Sequence, residues 1–480
     1  MKKNKYFELQ LLILCLILVL MSFKAIDNKD TLAVKKPNIL FIAVDDLRPE
    51  LGCYGAKHIQ SPNIDRLAAS GTTFQQAYCN VPVCGASRAS LLTGLRPAQK
   101  RFLNFMTRAD KDAPDAISLP GYLKKCGYKT ISNGKIYHHH DDDESSWDEL
   151  WSAESNSKSW KDYALAANKE NETVTRGGAP YERANVEDDV YRDGKIAQKI
   201  IEDLRKLSKT DKPFFLGAGF IKPHLPFNAP EKYWKLYDGK VSIPYNNYAP
   251  ENAPKKSLHK FIELRTYDGI NKRGPVSDEM ALKLIQGYYA CVSYVDAQIG
   301  KVLDELERLE LDKNTIVVLW GDHGFNLSEH GLWCKTSSYE TALHAPLIVK
   351  IPGKNKVNST NEIVEYVDIY PTICELAGLD LPEHLQGDSF KELLYDKKAK
   401  SDGIAISQWK KGLTIIKDKY FYTEWIDDRD SLVTQMLYNH QLDEDENFNI
   451  SEQAKNATII ESLRKDIRKH RGEKYFKKKE

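Results

Sequence analysis

Two pairs of residues in this chain of 480 have the types and the placing to hold a metal ion. Asp45 and Asp46 follow the apolar run 39–44, and Asp322 and His323 follow the run 315–320, flanked by Gly321 and Gly324. The first run has the length and continuous apolarity of a central parallel strand covered on both faces, and the second reads as a further strand. Open α/β sheets build their sites at the carboxyl ends of such strands, so the two pairs would converge on one edge. Neighbouring residues within a strand point to opposite faces, and Asp45 and Asp46 share one ion only because the strand has ended. One pair alone is as readily a turn or a helix cap, whereas both together point to a metal site. Three carboxylates suit Ca²⁺ or Mg²⁺ and the histidine suits a transition metal, so residue types leave the metal open.

The segment 83–94 is the other place where chemistry is concentrated. Cys84 stands ahead of a predicted helix start, where free amide N–H groups and the positive dipole end favour anions. Arg88 lies one helical turn further on. Together they form a cradle for an anionic group, around a thiol that reads as a low-pKa nucleophile or as a buried cysteine beside a structural arginine.

Cys84, Gly85, Ala86, Ser87 and Arg88, with Leu92, Thr93 and Gly94, resemble the signature of the type I sulfatases. In that family the cysteine of a Cys-x-Pro/Ala-x-Arg motif is oxidised after synthesis to formylglycine; Ala86 stands where Pro is commoner. Segments 38–46, 52–55 and 61–65 resemble the same family in the same order. Segments 134–138, 222–227 and 322–335 are similar to its iduronate-2-sulfatase branch. The resemblance implies an alkaline-phosphatase-like α/β fold, with a large, mainly parallel sheet domain and a smaller C-terminal α+β subdomain. It implies a calcium ion held by Asp45, Asp46, Asp322 and His323 together with residue 84; His323 stands where many sulfatases have Asn. It further implies Cys84, as formylglycine, for the nucleophile, with Arg88 stabilising its alkoxide, Lys135 and Lys335 holding sulfate oxygens, His224 protonating the departing oxygen and His138 taking the proton that lets sulfate leave. The implied partners are a formylglycine-generating maturation enzyme and a sulfated oligosaccharide or polysaccharide, with a uronic acid or related sugar as the target.

Without that resemblance several of these residues read differently. Lys135 or Lys335 alone is an ordinary surface lysine, and His138 opens the polar run His138, His139, His140 followed by Asp141, Asp142, Asp143 and Glu144. His330 and His344 read as structural. Phosphatases and phosphodiesterases of the same superfamily use Thr or Ser as nucleophile and a two-metal site richer in ligands, which Cys84 with Arg88 argues against. A sugar-binding protein that kept the fold without the chemistry would differ in the mass of residue 84.

The elements that must position these residues alternate as in an α/β protein. Strands are predicted at 39–44, 130–132, 213–218 and 314–320, with a further apolar run at 346–351. Helices are predicted at 63–70, 277–309 and 370–376. A hairpin at 413–416 and 420–425 and a charged helix from about residue 458 mark a change of character after the Lys-rich stretch at 397–400. The reading is therefore a catalytic domain over 36–384 and a smaller subdomain over 385–480. Residues 1–25, basic and then apolar, read as a signal peptide or membrane anchor, with Ala25 as the cleavage position and Cys15 inside the apolar run. The protein is thus expected to be exported, periplasmic or secreted. Lys plus Arg (69) and Asp plus Glu (68) nearly cancel, which supplies no drive toward nucleic acid. The cysteines beyond Cys15 show no CxxC pair and do not demand a disulfide framework.

Overall fold

In strand β1 (Asn38–Val44) alternate side chains serve two different cores. Leu40, Ile42 and Val44 join one buried cluster, while Ile39, Phe41 and Ala43 join another. The pleat sends successive residues to opposite faces, so a strand covered on both sides reads as one unbroken apolar run. The computed structural model describes residues 36–471 apart from 176, 354, 428 and 430. The reading of residues 1–25, with Cys15 and Ala25, lies outside the described residues.

The strands that follow are β2 (Thr72–Tyr78), β3 (Lys129–Gly134), β4 (Glu149–Trp151), β5 (Tyr181–Ala184), β6 (Phe214–Phe220) and β7 (Phe227–Pro230). Next come β8 (Thr315–Gly321), β9 (Asn326–Leu327), β10 (Trp333–Cys334), β11 (Leu347–Lys350) and β12 (Ser359–Glu365). Eight of them form one sheet in the order β12-β2-β11-β8-β1-β6-β3-β4. Every pairing in it is parallel except those of β11, which runs antiparallel to both β2 and β8.

Helices cover both faces. On one side lie α1 (Pro62–Ser70), α3 (Arg192–Leu207) and α4 (Asp278–Arg308), through residues such as Leu67, Ile200 and Val295. On the other lie α2 (Cys84–Thr93) and α5 (Ile369–Leu376), through Leu91, Leu92 and Ile373. Helix α4 starts where the Ser277 side chain accepts the Met280 amide hydrogen bond, as an N-cap serine does. The α2 helix is buried on all sides.

A second sheet, β13 (Ile404–Trp409), β14 (Gly412–Lys417), β15 (Tyr420–Ile426) and β16 (Leu432–Asn439), is an antiparallel meander. Ile460, Leu463 and Ile467 of α6 (Ala457–Arg471) cover one of its faces, with the spacing of a single helical stripe. Its other face, with Ile416, Phe421, Trp425 and Met436, belongs to the same core as α2 and β2. This is the smaller C-terminal sheet and helix that the sequence leads one to expect. Among the described residues no helix is long and apolar enough to cross a membrane. The seven described cysteines are all free thiols.

Candidate active site

Val44 of β1 pairs with Gly321 of β8, so Asp45 and Asp322 leave the sheet at the same level on adjacent parallel strands. Asp46 turns at once into the left-handed region (φ 59°), and its amide donates to Asp322 Oδ1 at 3.0 Å. That turn allows both neighbouring carboxylates to face one point. Asp45, Asp46, Asp322 and His323 have no exposed surface.

Cys84 is the first residue of α2 rather than lying ahead of it, with Val83 as N-cap. Asp45, Cys84, Asp322 and His323 present ligand atoms all within 4.8 Å of one another, and Asp45, Asp46 and His224 do the same. His323 Nδ1 donates to the Gly324 carbonyl at 2.9 Å, since that oxygen can only accept. In the neutral ring Nε2 then carries the lone pair, 3.4 Å from Asp46 Oδ1 and 3.6 Å from Asp322 Oδ1, with no hydrogen-bond partner. A buried imidazole whose tautomer is fixed by a carbonyl and whose bare nitrogen faces carboxylates has the arrangement of a metal ligand. The donor set of three carboxylates, one imidazole and residue 84 therefore fits a divalent cation.

Cations ring this cluster. Arg88, fully buried, gives Nε to Asp322 Oδ2 at 2.8 Å and Nη2 to Asp45 Oδ1 at 3.3 Å. Its Nη1 is tied to the Lys135 and Ile136 carbonyls. Lys135 pairs with Asp45; it is brought there by Gly134 (φ 77°), where a Cβ would lie 2.2 Å from the Gly219 oxygen. Lys335 Nζ lies 3.0 Å from both oxygens of Asp46 and 2.9 Å from Glu263 Oε1. His138 Nδ1 is 3.2 Å from Cys84 Sγ. Burial opposes ionisation of that thiol, but Lys135 and His138 outweigh it and hold the Cys84 pKa well below its ordinary value.

His224 Nδ1 donates to the Leu225 carbonyl at 2.6 Å, which aims Nε2 at Glu263 Oε1 (3.2 Å) and, further off, at Asp46 Oδ2 (3.9 Å). Burial and Lys335 press its pKa down; Asp46, Asp45 and Glu263 outweigh them and the net shift is upward. Trp160 meets the His224 ring edge-on at 5.3 Å. The structure thus brings Asp45, Asp46, Cys84, Arg88, Lys135, His138, His224, Asp322, His323 and Lys335 to one place. His330, tilted against Tyr339 at 4.5 Å, and His344, beside Tyr78 at 5.3 Å, lie outside the cluster.

Glu263 and Trp160 were not singled out by sequence reading. Both sit in long connections without periodicity, and only the tertiary fold sets them beside His224. Cys84, Lys135, His138, His224 and Lys335 all line a cavity of about 1380 Å³, together with Trp160 and Glu263.

The family model described as Sulfatase matches residues 37–379, and the one described as N-sulphoglucosamine sulphohydrolase, C-terminal, matches residues 328–473. Iduronate 2-sulfatase of Mus musculus is 33% identical over 395 residues, which cover 74% of this chain and 71% of that protein. A protein of Formosa agariphila described as Sulfatase is 34% identical over 457 residues, 90% of this chain and 86% of its own. The solved structure of BT4656 in complex with its substrate D-glucosamine-2-N, 6-O-disulfate superposes with a TM-score of 0.73 at 23% identity, over 92% of this chain and 98% of that one.

Proposed function

The chain belongs to the sulfatase family and is a sulfuric ester hydrolase, and from that premise we propose that it removes sulfate esters from a sulfated polysaccharide, with a uronic acid or related sugar as the residue it acts on. The observation that carries the reading is the meeting of Cys84, His138, Arg88 and the carboxylate cluster at one buried point. The iduronate 2-sulfatase relative and the glucosamine disulfate complex of a fold neighbour support a sugar substrate. Asp45, Asp46, Asp322, His323 and residue 84 would hold the ion, and the predominance of carboxylate oxygen favours calcium. When present, formylglycine at position 84 supplies a hydroxyl nucleophile for attack on sulfur, and the divalent ion supplies the charge that favours its ionisation.

The chain's own side chains do the rest. Arg88 fixes Asp45 and Asp322 and adds positive charge beside residue 84. Lys135 and Lys335 each pair with one of the Asp45 and Asp46 carboxylates and face the cavity, where they bind the sulfate oxygens. His224 delivers the proton on Nε2 to the departing sugar oxygen. His138 Nδ1, beside residue 84, accepts the proton whose removal lets sulfate leave. Export, the maturation enzyme as partner, and a division near residue 385 complete the proposal.

Sulfate release from a panel of defined sulfated oligosaccharides tests it. Turnover confined to esters on uronic acids or their neighbours is the expected result. Hydrolysis of phosphate or phosphonate esters with no sulfate release would overturn it.

A further inference from the structure

Seven Lys and Arg side chains line the cavity, against one carboxylate, Glu263. That carboxylate is already engaged by Lys335 and His224. Lys135 and Lys335 belong to the reaction centre, but Lys256, Lys260 and Lys410 come from elsewhere: the first two from the connection before α4, the last from the turn between β13 and β14. None of these three makes an ion pair among the described residues. Lys410 occupies the left-handed region (φ 53°), its carbonyl accepts from Gln408 Nε2 at 3.0 Å, and its ammonium lies 5.4 Å from the centre of the Trp409 ring. The turn is thus held in a set shape while the charge stays available.

His259 lines the same wall. Its Nδ1 accepts the Phe261 amide at 2.9 Å, so the neutral ring carries its proton on Nε2, and that buried donor has no partner. A buried N–H without an acceptor is destabilising unless something pairs with it. Burial, reinforced by Lys410, pushes the His259 pKa down to about 4, in keeping with a neighbourhood short of negative charge. At about 1380 Å³ the cavity also exceeds the roughly 300–1,000 Å³ usual for a single small ligand.

We propose that His259, Lys256, Lys260 and Lys410 form a second anion subsite, which takes a carboxylate or sulfate on the sugar next to the one bearing the scissile ester, with Trp409 and Trp425 as the apolar floor under that sugar. The proposal rests on reading the cavity as a sulfate-ester site. Walls of low dielectric focus the field of the unpaired lysines, and a charged acceptor in their midst gains hydrogen bonds stronger than neutral ones. The enzyme then selects at least a disaccharide carrying more than one anionic group.

The test uses three disaccharides that share one sulfate ester and differ at the neighbouring sugar, which bears no charge, a carboxylate or a second sulfate; nitrophenyl sulfate is the fourth substrate. The parent enzyme is expected to prefer either or both anionic disaccharides over the neutral one by about 10-fold in kcat/KM, the order of one hydrogen bond to a charged group. Which of the two is preferred identifies the group. Lys260→Ala combined with Lys410→Ala should reduce that preference to less than about 3-fold, through KM, while Lys410→Arg keeps it. Equal turnover of charged and neutral disaccharides by the parent enzyme, or a uniform loss on all four substrates in the double variant, would overturn the subsite. Failure of every sulfate ester to turn over would instead count against the sulfatase reading. Calorimetric binding of the same disaccharides would then decide the subsite: stronger binding of the anionic pair supports it and equal binding refutes it.

Discussion

Arg88 Nε donates to Asp322 Oδ2 at 2.8 Å, and neither side chain has any exposed surface. The same guanidinium also reaches Asp45 and two backbone carbonyls. Removing one member of a buried pair strands the other's charge, at about 3–5 kcal/mol. Arg88→Ala should therefore lower the denaturation free energy by that order as well as abolish turnover. Arg88→Lys should recover only part of the stability, because an ammonium lacks the planar fork that serves carboxylate and carbonyl together. Urea unfolding of the three proteins checks this; an unchanged midpoint in the alanine variant would mean the pair is not holding the site together.

Metal removal should be visible without any assay of turnover. Asp45, residue 84, Asp322 and His323 gather at one point, with Asp46 Oδ1 3.4 Å from Nε2 of His323, and an ion bound there only in the folded state stabilises it by mass action, about 2.7 kcal/mol at one hundred times Kd. Treatment with a chelator should lower the thermal midpoint and stop sulfate release, and calcium should restore both. His323→Ala should blunt the thermal response to calcium. Restoration by stoichiometric zinc and not by calcium would overturn the metal assignment.

Strands β1 and β8 were legible because both their faces are covered, which forces an uninterrupted apolar run up to Asp45 and to Asp322. The 31-residue α4 was legible from its periodicity, and the β14–β15 hairpin from two apolar runs around 417–419. Strands β2 and β12 were not: Thr72–Tyr78 and Ser359–Glu365 are largely polar in sequence, β12 because its first half lies exposed at the sheet edge, and β2 although it is mostly buried between β12 and β11. Of the site, the motif-borne residues Asp45, Cys84, Arg88 and Asp322 could be read from local sequence. Glu263, Trp160 and Lys410 could not, since a single helical turn, an irregular connection and a two-residue turn between strands are too short or too irregular to show a period, and their neighbours in the cavity are remote in the chain.

Away from the site, Glu340 lies 3.6 Å from His344 Nδ1 and 3.5 Å from His440 Nδ1, whose Nε2 faces Glu446 at 3.2 Å. Burial, offset in part by His440 and reinforced by Glu446, Glu444 and Asp445, pushes the Glu340 carboxyl up to about 7. A raised carboxyl binds its proton more tightly in the folded state, so its contribution is complete below about pH 4.5, the unfolded value, and is lost as pH rises through about 7. Glu340→Gln removes that ionisation. Its stability relative to the parent should therefore improve steadily across that window, as measured by urea midpoints at several pH values. A difference that does not vary with pH would show that the Glu340 carboxyl titrates alike in the folded and unfolded chains.

The assignment of His224 as acid and His138 as base makes opposite demands on the leaving group. A sugar alkoxide is strongly basic and needs a proton as the bond to sulfur breaks, whereas a nitrophenolate scarcely does. With Nδ1 committed to the Leu225 carbonyl, only Nε2 of His224 can supply that proton. His224→Ala should therefore lose about 10²-fold or more on a sugar sulfate, the usual size of a general-acid contribution, and retain far more of its activity on nitrophenyl sulfate. His138 instead sits 3.2 Å from Sγ of residue 84, where its proton transfer follows departure of either leaving group, so His138→Ala should slow both substrates alike. Single-turnover rates separate the two steps, because cleavage precedes the step assigned to His138. Equal losses by His224→Ala in single-turnover cleavage of the two substrates would show that this histidine binds sulfate and does not donate the proton.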